Sequence, residues 1–135
     1  MKIITQIDDL VNCRSKLKSQ TIGLIPTMGA LHDGHLSLIK LSKKKCDITA
    51  VSIFINPKQF SINEDLGTYP INIDNDIELL KKLNVDILFL PSNDTMYPND
   101  FSTYVNEKTI SIINEGDSRP IFFQGVLTVV LKLFN

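Results

Sequence analysis

The chain holds two histidines, and both fall in "IPTMGALHDGHLSLI", residues 25–39, three positions apart. An apolar, β-rich run ends in this stretch and a helical pattern begins. Such a junction lies at the carboxyl end of a strand, where open α/β sheets bind their ligands. His35 is expected in the first turn of the helix. There, free backbone N–H groups and the helix dipole attract an anion, worth about 0.3–1 kcal/mol when exposed and ~2 kcal/mol when partly buried. Gly29 and Gly34 permit a tight turn and close approach of backbone to a ligand. His32 and His35 are spaced to converge on one phosphate, and an imidazole can donate a hydrogen bond to a pentacovalent phosphorus centre. The other reading is a chance His-x-x-His pair. Zinc would need a third ligand, which neither a cysteine nor a His–Glu helix motif supplies. The glycine-rich dinucleotide pattern is absent, so no nicotinamide cofactor is expected.

Three apolar runs must position this junction. They are "TIGLIPT" (21–27), "DITAVSIFIN" (47–56), near-continuous as in a strand buried on both faces, and "VDILFLP" (85–91). Between them lie helical patterns in "HLSLIKLSKKK" and "IDNDIELLKKLN", the second with Asn84 as its cap. An earlier helical pattern carries Ile7, Leu10, Val11 and Leu17, with Thr5 and Asp8 resembling a capping box. Alternation of this kind predicts a Rossmann-like parallel sheet with helices on both faces. Residues 57–70 read as a long binding loop or lid. "TMYPNDFSTYVNEK" suggests a turn and a further short strand, and "FFQGVLTVVLKLFN" a helix or strand. The apolar residues from Val126 to Phe134 need a cover, which reads as a chain breaking off inside its fold.

With 135 residues, 43 % of them apolar, the sequence suffices for one packed domain, 1–135. The net charge of −1 gives no basic stripe, so nucleic acid is not an expected partner. Lys43, Lys44 and Lys45 read as the solvated last turn of a helix. Cys13 and Cys46 read as buried free thiols, which suit a reducing cytoplasm. No apolar run is long enough to span a membrane, and no signal peptide is evident.

Taken together and in order, "PTMGALHDGH", "VSIFINPKQF", "EDLGTYP", "MYP" and "SRPIFFQGVLTVVLKLFN" resemble the pantoate–β-alanine ligase family. The first block alone is a form of the histidine–glycine–histidine signature of the wider nucleotidyltransferase superfamily. The resemblance implies a ligase of pantothenate biosynthesis, on the route to coenzyme A. ATP would adenylate the carboxylate of (R)-pantoate, and β-alanine would then displace AMP, with Mg²⁺ neutralising the phosphates.

Carried onto this sequence, the resemblance implies that Met28, Gly29, Ala30, Leu31, His32, Asp33, Gly34 and His35 line the ATP site. His32 and His35 would be catalytic at the α-phosphate. Gln59 would hold pantoate and later face β-alanine, Asn56 would support its loop, and Tyr69 would belong to the wall of the site. Pro26, Val126, Val129 and Val130 would shape its apolar half. Read without the family, Gln59 is a solvated loop residue and the valines are plain core. The resemblance also implies a homodimer and small-molecule partners, and no metal-ligating residue is expected.

Ile71, Ile121, Phe122 and Gln124 depart from the family pattern, which has arginine, glycine, histidine and arginine there. A lysine-bearing motif and a second domain, both ATP-binding in the family, have no counterpart in these residues. Two other readings therefore stand: a catalytically inactive remnant or nucleotide-binding domain, and a different nucleotidyltransferase.

Overall fold

The computed structural model describes residues 1–60 and 72–135. Among them, residues 1–55 with 72–95 form one compact unit, and residues 56–60 with 96–135 a second.

The first unit is built on four strands, β1 (Lys2–Ile4), β2 (Ile22–Thr27), β3 (Ile48–Ile53) and β4 (Ile87–Phe89). Their order in the sheet is β1-β4-β3-β2, and every pairing is parallel. Parallel neighbours cannot be joined by a tight turn. The connections accordingly carry α1 (Ile7–Ser15), α2 (Asp33–Lys45) and α3 (Ile73–Lys82). The parallel sheet expected from the three apolar runs is present. The apolar start of the chain adds a fourth strand at its edge.

The core gathers Ile25, Val51, Ile53 and Leu88 from the strands, Ile39 from α2, Leu80 from α3, and Val85. On α2, Leu36, Ile39 and Ser42 follow the three-residue spacing of a helix face, and Ile39 is fully buried. Ser42 meets Thr49 of β3 through a hydroxyl pair at 2.8 Å. Gly23 of β2 lets the helix come this close, because a Cβ there would stand 2.0 Å from Ser42 Oγ. Pro26 sits within β2 rather than ending it. β2 is the last strand in the sheet order, where a missing N–H is tolerated.

Four local expectations need correction or refinement. Thr5 does not cap α1, whose N-cap is Gln6 with no side-chain bond. Lys43 is not merely solvated, since its ammonium pairs with Asp86 at 2.9 Å. Cys13 and Cys46 are free but only half-buried. Asn84 stands just beyond the C-cap residue Leu83, and its φ of +53° is the left-handed conformation that stops a helix.

A helical turn, α4 (Asn93–Met96), leads out of the first unit. The second unit contains a 3₁₀ turn (Pro57–Gln59), α5 (Glu115–Ser118) and α6 (Phe122–Phe134). "FFQGVLTVVLKLF" is thus a helix, burying Gly125, Thr128 and Val129 and exposing Leu131 and Phe134. The strand expected within "TMYPNDFSTYVNEK" does not form. There the Val105 amide donates to Thr128 Oγ1, while Tyr97, Phe101 and Tyr104 stack edge to face at 4.9 and 5.2 Å. The aromatic residues that suggested a strand are spent on one another. Among the described residues, no helix is long and apolar enough to cross a membrane.

Candidate functional site

β2 ends at Thr27, and the chain reverses through Met28–Leu31 before α2 begins at Asp33. Thr27 fixes the exit: its hydroxyl donates to the Ser52 carbonyl (2.9 Å) and accepts from the Gly29 amide (3.2 Å). Gly29 and Ala30 then take φ of +87° and +51°. Glycine adopts that region freely, whereas for alanine it costs roughly 1–2 kcal/mol. Two hydrogen bonds hold the turn. Asp76, buried in the first turns of α3, accepts from the Ala30 amide at 2.8 Å and from the Leu31 amide at 2.9 Å.

The histidines complete the helix start. His32 is the N-cap of α2, and its Nδ1 accepts from the Gly34 amide at 3.2 Å. His35, three residues on, reciprocates: its Nδ1 accepts from the His32 amide at 3.4 Å. This is a capping box in which two imidazoles replace the usual hydroxyl and carboxylate. The rings lie 4.1 Å apart between centroids, tilted by 44°.

An acceptor nitrogen carries no proton, so each neutral ring bears its hydrogen on Nε2. Each side chain therefore keeps its ring N–H on Nε2, the nitrogen not used in the cap. His35 is half-buried, and burial pushes its pKa below the ordinary value, with His32 beside it adding to the effect and the Asp76 charge opposing it. At neutral pH it is a neutral donor.

The helix start offers an anion fewer amides than expected. Those of Ala30, Leu31, His32 and Gly34 are already bonded to side chains. The capping box also engages the His35 amide with the His32 side chain. Most of the donor capacity has moved from backbone to imidazole.

In the second unit, Asn56 is 1 % exposed and occupies all of its side-chain bonding capacity. Its Oδ1 accepts from the Lys58 amide (3.1 Å) and the Tyr97 hydroxyl (2.8 Å). Its Nδ2 donates to Gln59 Oε1 (3.1 Å) and to the Gly125 carbonyl of α6 (2.9 Å). Asn56 thus ties the 3₁₀ turn bearing Gln59 to the helix bearing Val126, Val129 and Val130. Gln59 is buried, not solvated, and its carbonyl accepts from Arg119 Nη2 at 3.3 Å. The Arg119 guanidinium in turn lies 4.1 Å from the centre of the Phe122 ring. Val129 is buried in α6, while Val126 and Val130 are half-buried.

Met28–His35 are consecutive in the first unit, together with Pro26, which is exposed near the end of β2. Asn56, Gln59 and the three valines belong to the second unit. Tyr69 and Ile71 lie outside the described residues. Two residues escape sequence reasoning altogether. Asp76 reads as an ordinary acid at a helix start, because its partners are 45 and 46 positions away. Gly125 reads as an ordinary glycine in an apolar run. Among the described residues, no group of three or more His, Cys, Asp and Glu side chains could hold a metal ion.

Comparison with known proteins gives one family. The pantoate-beta-alanine ligase family model matches residues 2–135. The chain is 53 % identical to the pantothenate synthetase of Pseudothermotoga lettingae and 52 % identical to that of a Sulfurihydrogenibium species. Both matches cover all of this chain and 48 % and 49 % of the relatives. Its fold superposes on the pantoate-beta-alanine ligase of Francisella tularensis, solved with beta-gamma ATP and beta-alanine, with a TM-score of 0.94 at 48 % identity. That match covers 98 % of this chain and 52 % of the other. For the pantothenate synthetase of Thermus thermophilus the TM-score is 0.93 at 38 % identity, over 99 % and 48 % of the two chains. The chain spans about half the length of the curated relatives it matches. With its whole extent from residue 2 onward matched, the chain belongs to the pantoate-beta-alanine ligase family.

Proposed function

We propose that this chain supplies the nucleotide- and pantoate-binding half of an ATP-dependent ligase that joins (R)-pantoate to β-alanine. The observation that carries the reading is the reciprocal capping at the start of α2, in which His32 and His35 both accept a backbone amide at Nδ1 and so keep Nε2 for donation. In the first step a pantoate carboxylate oxygen attacks the α-phosphorus of ATP, and the bond to pyrophosphate breaks. Negative charge grows on the non-bridging α-phosphate oxygens, and fixed N–H donors stabilise that growth. Because His35 is held neutral, it donates without having to lose a proton. In the second step the free amine of β-alanine attacks the acyl carbon, AMP leaves with the electron pair, and the amine gives up a proton.

In this reading Met28–His35 bind ATP. By the family resemblance Pro26, Gln59, Tyr69, Val126, Val129 and Val130 are each assigned to pantoate, and Asn56 bonds to the Gln59 side chain. A glutamine amide suits the hydroxyl-bearing substrate because it donates and accepts at once. Mg²⁺ would arrive on the triphosphate, whose charge it neutralises. The Francisella tularensis complex supports ATP and β-alanine as substrates. A cytoplasmic homodimer is part of the same proposal.

The test is product analysis on the protein as its own cells make it, supplied with ATP, Mg²⁺, pantoate and β-alanine. Pantothenate, AMP and pyrophosphate in equal amounts are expected. ADP as the product, or ATP cleavage indifferent to pantoate, would overturn the assignment.

A further inference from the structure

We propose that Asp76 is the positioning residue of the nucleotide site: its carboxylate, through the amides of Ala30 and Leu31, fixes the left-handed turn from which both imidazoles are aimed. This rests on the nucleotide reading of His32 and His35 above.

Asp76 is 1 % exposed, and its two oxygens take one amide each, at 2.8 and 2.9 Å. A buried carboxylate is retained only where hydrogen bonds satisfy it. These two go to the one segment, Ala30–Leu31, that separates Gly29 from the His32 cap. Ala30 has a φ of +51° and no freedom of its own to favour it. Gly29 closes the other side, because a Cβ there would meet Asp76 Oδ2 at 3.2 Å in a backbone already at φ +87°. The direction of Leu31 sets that of His32, and the reciprocal His32–His35 bonds then pass it to the second ring. Asp76 has a further consequence for ligand choice. By occupying two amides at the strand exit, it withdraws them from any bound phosphate and leaves more of its recognition to the two Nε2–H groups. Its negative charge also opposes the effects that hold His35 neutral.

The test uses the 135-residue chain and three variants, Asp76→Asn, Ala30→Gly and the double substitution. Nitrogen NMR of the histidine rings reports which ring nitrogen carries the proton, and ATP binding is titrated alongside. In the unsubstituted chain both rings are expected as fixed Nε2–H tautomers. Asparagine keeps one acceptor but turns an NH₂ toward the second amide. Asp76→Asn should therefore mix the tautomers, lower the His35 midpoint and weaken ATP binding by roughly tenfold or more. Ala30→Gly on top of it should restore the tautomers, because glycine takes the turn unaided.

An Asp76→Asn protein that keeps both tautomers and the His35 titration, losing only thermal stability, would overturn the proposal. If Asp76→Asn fails to fold, amide exchange in the unsubstituted chain decides. Ala30 and Leu31 protected like the core strands support the proposal, and exchange at the rate of an open loop overturns it. Ring responses to Asp76→Asn with no ATP binding by any form would uphold the Asp76 role and count against the nucleotide reading alone.

Discussion

Gly125 of α6 lies so close to Lys58 that a Cβ on it would stand 2.3 Å from the Lys58 carbonyl oxygen and 2.5 Å from the Gln59 nitrogen. Both atoms are backbone, so the clash cannot be relieved by a side-chain rotation. Gly125→Ala should push the 3₁₀ turn off the helix and take Gln59 with it. Overpacking of this kind costs about 1–3 kcal/mol. Urea unfolding should show a lower midpoint, and pantoate affinity should fall beyond what stability explains. Unchanged pantoate binding would show that the turn does not place Gln59 for the substrate.

Asn56 gives a second test of the same frame. Asn56→Ala would remove one bond each from the Tyr97 hydroxyl and the Gln59 side chain and would strand the Gly125 carbonyl and the Lys58 amide. A buried polar group stranded in this way costs about 1–3 kcal/mol. Asn56→Asp should do nearly as much harm, because aspartate accepts from Lys58 and Tyr97 but cannot donate to Gln59 or Gly125. Equal stability of Asn56→Asp and the unsubstituted chain in urea unfolding would show that the two donated bonds contribute little.

His32 joins two roles that substitution can separate. Asparagine is among the best N-caps and can accept the Gly34 amide as His32 does, yet offers nothing at the Nε2 position. His32→Asn should melt within a few degrees of the unsubstituted protein. In the active ligase it should slow pyrophosphate release by roughly 10²–10³, the usual loss for one donor to transition-state charge. His32→Ala should lose both. If His32→Asn retained more than a fifth of the rate, the ring would be a cap and nothing else.

The lowered pKa of His35 fixes a pH window. The unfolded chain takes up its proton near the ordinary value, about 6.5, whereas the folded chain does so only at lower pH. The stabilisation is therefore complete above the unfolded value and is lost as pH falls toward the folded one. Protonation also converts Nδ1 from acceptor to donor and breaks the bond to the His32 amide. NMR titration should place the His35 midpoint below that of a histidine in an unfolded peptide. A midpoint at or above the peptide value would contradict the neutral donor.

Tyr97 sets a window at the other end of the scale. Burial above all, and then Tyr104, push its hydroxyl up to about 12. The bond it donates to Asn56 is thus kept throughout the neutral range. Its folded value lies above the unfolded one, so its contribution is complete below the unfolded pKa, near 10, and is lost as pH rises through about 12. Ultraviolet titration of the phenols should show one ionising late. Three tyrosines ionising together near their ordinary value would contradict this.

The elements legible in the sequence are those whose signal is local and repeated. β2, β3 and β4 stand out as apolar runs because the parallel sheet buries them, and α2 and α3 show helical spacing. β1 does not stand out: Lys2 and Ile3 are exposed and Ile4 alone is buried, so no pattern marks it. Phe101, Tyr104 and Val105 have the composition of a strand but use it for an aromatic stack and a bond to Thr128. The histidine pair is legible from its spacing at a strand–helix junction. What aims it is not. Asp76 and Gly125 act across 46 and more than 60 positions through a carboxylate and a missing side chain, and neither leaves a trace in local periodicity.

The three-residue β1 joins the sheet through Lys2, Ile3 and Ile4 alone, whereas β2 and β3 are paired along six residues. Its partner β4 lies far along the chain, and each doubling of the loop to be closed costs about 0.6 kcal/mol more in entropy. The first strand is therefore the place where the sheet opens most readily. Local opening governs proteolysis and amide exchange well before global unfolding does. The Leu90 amide, bonded to the Ile4 carbonyl at 2.8 Å, would exchange with solvent while the amides between β2 and β3 remain protected. Fraying at this edge would free the Asp86 carbonyl and the Leu90 amide along β4, a hydrogen-bonding edge that could then take up an extended segment of another chain.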